Sequence, residues 1–166
     1  MDTAFYSKNA EELVARYNGV AFEAVHASWI DLLPKQPGLV LDVGAGSGRD
    51  ANWLRSKGHE VVAVEPTREL RSLAEKASLP GVRWIDDSLP ALSVASKLNL
   101  TFDLILVSAV WMHVAPGERS RAFRKLAKLN KDDPHPHWLD VLLFHSHPPV
   151  GQRLAMAEEV AKRGEG

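Results

Sequence analysis

Two acidic side chains flank a run of closely spaced glycines in this chain, and their spacing sets out a binding chemistry. Residues 39–50 read LVLDVGAGSGRD: Asp42 stands two places before Gly44, Gly46 and Gly48 follow, and Glu65 comes 21 positions after Gly44. Glycine where a strand turns into a helix lets the backbone bend tightly and lie against a ligand, whose polar groups meet the free N–H groups of the helix start. The dinucleotide fingerprint G-x-G-x-x-G places its third glycine one residue later, where this chain has Arg49. A carboxylate at Asp42 repels a pyrophosphate and welcomes an ammonium group. An acid at Glu65, closing a second apolar run, suits the two hydroxyls of a ribose. The pattern fits a nucleoside that carries a cation rather than NAD.

The elements that must position these residues follow from hydrophobic pattern. Strands are expected at 39–43, 60–64, 82–85, 102–107 and 138–144, with helices opening at Arg49 and covering 67–77 and 116–129. Residues 89–100 are poorly patterned, and a last helical stretch covers 152–163. Two helices precede, at 9–18 with Leu13, Val14 and Tyr17 on one face, and at 21–33 with Val25, Trp29, Leu32 and Leu33; Pro34 and Pro37 then break the chain. Alternating strands and helices predict an α/β fold: an open parallel sheet of about five strands, ordered 3-2-1-4-5, with helices on both faces. Ligands bind where strand order reverses, between strands one and four, which brings 44–48 beside 108–113. No linker interrupts the chain, so 1–166 reads as one domain with a helical cap over 1–34.

The run GSGRDANWLRSKGHEVVAVEP, the pair Asp86-Asp87 after the third apolar run, and FDLILVSAVWMHV together resemble class I S-adenosylmethionine-dependent methyltransferases acting on small molecules, over roughly residues 6–114. The resemblance implies a Rossmann-like sheet, with Glu65 on the ribose and either Asp86 or Asp87 on the adenine amino group; Ser88 and Leu89 follow Asp87 in the family's manner. The implied cofactor contacts are Asp42, Gly44, Ala45, Gly46, Gly48, Arg49, Glu65, Pro66, Asp86, Asp87, Ser88, Leu89, Ser108, Ala109 and Val110, the last two with Trp111 near the methionine end. Tyr6 and Tyr17 lie in FYSKNAEELVARY, similar to the segment that covers the cofactor in such enzymes. A sulfonium is already a good leaving group, so catalysis is mostly alignment and exclusion of water. A base is needed only where the nucleophile must lose a proton, and His113 is the candidate, since an imidazole of ordinary pKa, about 6.5, suits proton removal near neutrality. The expected activity is methyl transfer to a small-molecule acceptor; the alternative is a catalytically silent cofactor-binding or regulatory protein.

The C-terminus departs from the family. KLNKDDPHPHWLD stands where relatives have a glycine turn before strand five, and the family's usual final two strands are not expected. The apolar edge at Val141, Leu142, Leu143 and Phe144 is then expected to be covered, for instance by a second copy in a homo-oligomer.

Composition narrows the rest. A length of 166 residues with 45% hydrophobic content supports one ordinary core. A net charge of −1 provides no field for attracting nucleic acid, and there is no cysteine for a disulfide or thiolate metal site. The N-terminus MDTAFYSKNAEE lacks a signal-peptide pattern, so cytoplasm is the expectation. The apolar stretches at 104–112 and 141–144 fall short of the ~20 residues of a membrane span. His135, His137, His145 and His147 form H-x-H pairs, but no carboxylate or cysteine completes a ligand set, so no metal is expected. Arg121, Arg124, Lys125 and Lys128 fall on one helical face, read as solvated.

Overall fold

The computed structural model describes residues 3–131 together with a strand at 141–144. Twelve regular elements are described in chain order: α1 (Thr3–Lys8), α2 (Ala10–Asn18), α3 (Phe22–His26), β1 (Leu39–Val43), α4 (Arg49–Ser56), β2 (Glu60–Val64), α5 (Arg68–Ala77), β3 (Val82–Ile85), α6 (Ser93–Lys97), β4 (Leu104–Ser108), α7 (Arg119–Leu129) and β5 (Val141–Phe144). All strands are parallel and ordered β3-β2-β1-β4-β5, the Rossmann-like arrangement expected.

Parallel strands covered on both faces read as continuous apolar runs, and β1, β2 and β4 are buried along nearly their whole length. Alternate residues point to opposite layers. Leu41, Val43, Val62, Val64, Ile105 and Val107 pack with Leu92, Phe102, Leu126 and Leu129. Val40, Val61, Ala63, Leu104 and Leu106 pack with Phe22, Trp29, Ala51 and Leu54. Leu54 and Leu126 are wholly buried, each worth about 1.5–3 kcal/mol of transfer free energy. Because β1 pairs with β2 from Leu39 to Val43 and with β4 from Val40 to Val43, the loops after these three strands meet at one end of the sheet.

Several boundaries differ from the sequence reading. The helix expected over 21–33 is α3 followed by a 3-10 turn at Ile30–Leu32. Trp29 leaves helical geometry at φ −147°, and its ring packs with those of Phe22 and His26, so side-chain burial overrides helical periodicity. The unpatterned 89–100 holds α6. The helix expected from Pro116 begins at Arg119, after a 3-10 turn at Pro116–Glu118. Strand four starts at Leu104 rather than Phe102, which makes only an isolated bridge to Asn130. Strand five is described over Val141–Phe144, where β5 is the last strand of the described sheet. The H-x-H histidines, the stretch 152–163 and all of 132–140 lie outside the described residues. On α7, Lys125 donates to the Ser96 hydroxyl and Arg121 pairs with Glu118. No helix among the described residues is long and apolar enough to cross a membrane.

Candidate functional site

The three glycines after β1 all adopt positive φ, and each has its own reason to be glycine. A Cβ on Gly44 would collide with Val110 Cγ2, so Gly44 is required by packing between the ends of β1 and β4. A Cβ on Gly48 would meet the Trp84 ring at 3.0 Å and Ala74 at 3.4 Å, where α4 passes against β3 and α5. Over Gly46 the space is open, the nearest atom being 3.9 Å away. Of the three, Gly46 is the place where backbone lies bare to a ligand.

Glu65, at the end of β2, is 4% exposed and is held from two sides. One carboxylate oxygen accepts the Gly46 N–H at 3.0 Å and the other the Thr67 N–H at 2.7 Å. Each oxygen has two lone-pair sites, so one on each is left for a further donor. Asp42, on β1, is 1% exposed. The Ala51 amide donates to its carboxylate, while Oδ2 has no hydrogen-bond partner. Burial, with the charge of Asp50, pushes Asp42 well above the usual carboxylate range, and Arg49 pulls against the shift. A buried acid with an empty oxygen is costly unless a donor or cation completes it.

The two acids after β3 have separate duties. Asp86 is turned outward and pairs with Arg71 at 2.8 Å; Arg71 also donates to the Glu65 carbonyl, so one guanidinium bridges the ends of β2 and β3. Asp87 lines the pocket, and its carboxylate accepts four backbone N–H groups, from Ser88 and Ser93 on one oxygen and from Val94 and Ala95 on the other, at 2.7–3.0 Å. Asp87 thereby satisfies the first amides of α6, which explains a helix where hydrophobic pattern predicts none.

A narrow pocket lies over the sheet end, lined by Val43, Gly44, Val64, Pro66, Asp87, Ser88, Leu89, Val110, His113 and Val114. The structure thus joins Gly44, Pro66, Asp87, Ser88, Leu89, Val110 and His113 in one cavity wall. Ser108 ends β4, and Ala109 after it holds φ +53°, a left-handed conformation that costs a non-glycine residue about 1–3 kcal/mol and concentrates at functional turns. His113 Nε2 lies 3.0 Å from the Tyr6 hydroxyl, with the rings edge to face. Burial, followed by Tyr17 and Glu65, raises the Tyr6 pKa further above its ordinary value, so Tyr6 is a neutral phenol. Helix α1 therefore reaches over the pocket through Tyr6.

Sequence reasoning missed His26, Asp50 and Arg71. Asp50 stands in the first turn of α4, visible only as the last letter of GSGRD. His26 carries no local signal: it is wholly buried, and its Nε2 reaches Asp50 at 2.8 Å across 24 positions.

With this geometry in place, comparison with known proteins is informative. Residues 40–133, more than half of the chain, match the family described as a methyltransferase domain. An uncharacterised methyltransferase of Alkaliphilus oremlandii is 32% identical over 92 residues, 55% of this chain and 40% of that protein. One of Mycobacterium bovis is 30% identical over 141 residues, 76% of this chain and 55% of its own. The chain spans about half the length of the curated relatives it matches. Among solved structures, a TehB-like SAM-dependent methyltransferase from Corynebacterium glutamicum superimposes with a TM-score of 0.58 at 22% identity, covering 95% of this chain and 82% of that one. A SAM-dependent methyltransferase from Mesorhizobium loti gives 0.55 at 22% identity, covering 68% and 50%. At these identities the likeness is one of fold.

Proposed function

From the premise that this chain belongs to the class I S-adenosylmethionine-dependent methyltransferase family, we propose that it transfers a methyl group to a small-molecule acceptor entering beside His113. S-adenosylmethionine is its cofactor. The single observation that carries the reading is Asp42: a fully buried carboxylate with an unfilled oxygen, on the strand that leads into the glycine turn. A ribose and an ammonium group on one ligand complete both acids, and a pyrophosphate completes neither.

When bound, this cofactor supplies an electrophilic methyl on a positively charged sulfur. Glu65 accepts from the ribose hydroxyls, preset by Gly46 and Thr67. Asp42 faces the amino-acid ammonium. Asp87 has all four lone-pair sites occupied by amides, so the base end is read through the Ser88–Leu89 backbone and the walls of the pocket rather than by a free carboxylate. Val110, Val114 and Leu89 exclude water from the reacting groups. His113 takes the proton of the acceptor's nucleophile: with its Nε2–H donated to the Tyr6 oxygen, the ring is fixed and Nδ1 is the free acceptor. The second reading, a silent binding protein, differs only in that His113 does no chemistry.

The test is calorimetric. S-adenosylmethionine and S-adenosylhomocysteine should bind and NAD should not. Glu65→Ala should weaken binding by about 1.5–3 kcal/mol, the scale of charge-assisted hydrogen bonds. Absence of binding, or equal binding of NAD, would overturn the cofactor reading, and a Glu65→Ala protein with unchanged affinity would overturn the role of Glu65.

A further inference from the structure

Behind the glycine turn lies a buried polar chain that the chemistry above does not use. His26 is wholly buried among apolar rings: Phe22 at 4.4 Å, Trp29 at 4.4 Å, and Trp53 stacked on Phe22 at 3.9 Å. An aromatic or leucine would pack there without a desolvation cost, whereas His26 keeps Nδ1 without a partner. Its Nε2 meets Asp50 Oδ2 at 2.8 Å, and the other oxygen of Asp50 accepts Arg49 Nε at 2.7 Å. Burial pushes the Asp50 pKa up, but the bonds from His26 and Arg49 more than offset this and hold it below its usual value, so Asp50 is a carboxylate. The guanidinium of Arg49 thus spends one donor on a fixed acid, and its two Nη groups have no hydrogen bond to the described residues. Arg49 also interacts electrostatically with Asp42.

The order of the strands sets what these groups face. Residues 87–89 follow β3, Glu65 follows β2, and the glycine turn follows β1, so a ligand with its base at β3 and ribose at β2 extends its amino acid toward β1 and the start of α4. Asp42 and Arg49 stand there, one acid and one base, as a zwitterionic amino acid requires. Resting on the S-adenosylmethionine reading, we propose that Arg49 binds the methionine carboxylate of the cofactor and that His26 and Asp50 are positioning residues, locking Arg49 in place from within the protein. The N-terminal segment, through α3, thereby takes part in recognising the amino-acid half of the ligand without touching it.

The test separates the two halves of the ligand by using 5′-methylthioadenosine, which keeps the nucleoside and thioether but lacks the amino acid. The wild-type protein should bind S-adenosylhomocysteine more tightly than 5′-methylthioadenosine. Arg49→Gln, Asp50→Asn and His26→Phe should each lower affinity for S-adenosylhomocysteine about tenfold or more while leaving that for 5′-methylthioadenosine within about twofold. His26→Gln, whose amide nitrogen reaches as far as Nε2, should restore the preference. Equal losses for both ligands would make the chain a structural clamp, and no loss for either would leave it idle; each overturns the proposal. A wild type that binds both ligands equally overturns it together with the role given to Asp42, and one that binds neither overturns the cofactor reading as well.

Discussion

Replacing Asp42 by Asn should move stability and ligand binding in opposite directions. The carboxylate is 1% exposed, accepts one amide, from Ala51, and has an oxygen with no partner. Asparagine keeps an oxygen for Ala51 and removes the buried charge along with its repulsion by Asp50 and Glu65. Removing an uncompensated buried acid should stabilise the ligand-free protein by about 1 kcal/mol or more, against a penalty range of about 1–3 kcal/mol for unsatisfied buried groups. In a domain of this size that is a rise in Tm of about 2–4 °C per kcal/mol. The sign depends on pH. The native state of the wild type holds the Asp42 proton more tightly than the unfolded chain, so its stability falls as pH rises from the ordinary carboxylate range through the raised pKa. Asp42→Asn lacks this fall, so its advantage should be absent at acid pH and should grow as pH rises through the raised pKa. The same substitution removes the counter-charge of the ammonium group and should weaken S-adenosylhomocysteine binding by about 1.5–3 kcal/mol. Thermal unfolding across pH, with and without ligand, measures both effects. A variant that melts below the wild type at neutral pH, or binds S-adenosylhomocysteine as tightly, refutes the reasoning.

Gly44→Ala should lower Tm markedly, because its methyl would collide with Val110, whereas Gly46→Ala should cost only the strain of positive φ, about 1 kcal/mol, and lose affinity instead; thermal unfolding and calorimetry on the pair should show this division, and identical behaviour counts against it. Once an acceptor is in hand, His113→Asn should keep cofactor affinity and lower single-turnover rate about 10²-fold, with Tyr6→Phe altering the pH profile more than the affinity. A near-normal rate in His113→Asn leaves alignment as the whole mechanism.

What could be read from residues alone was whatever is encoded locally. The bounds of β2 and β3 follow from short, mainly apolar runs, and Asp42 and Glu65 stand at fixed offsets from the glycines, so both were visible as acids with a task. Asp87 was visible as an acid but not as the cap of α6, because the amides it accepts belong to residues 93–95, whose helical pattern is too short to register. Asp86 drew attention for its type alone, and its pairing with Arg71 depends on the β2–β3 register. The Tyr6–His113 bond spans 107 positions and the His26–Asp50 bond 24, and no periodicity announces pairings that only a completed fold creates.

That last point bears on how the protein comes to be. Every strand pairing in the sheet joins segments separated by a helix or more, and β1, in the middle, must find β2 on one side and β4 on the other, more than sixty positions later in the chain. Such long-range parallel pairing closes large loops before any contact rewards it, so folding is intrinsically slower than in a helical bundle of the same size. The site samples every stage of that process: Tyr6 from the first helix, Asp42 and Glu65 from neighbouring strands, Asp87 from beyond the third, His113 from after the fourth. Ligand binding therefore has no partial form to offer a half-folded chain, and its appearance during refolding should coincide with the final, global step.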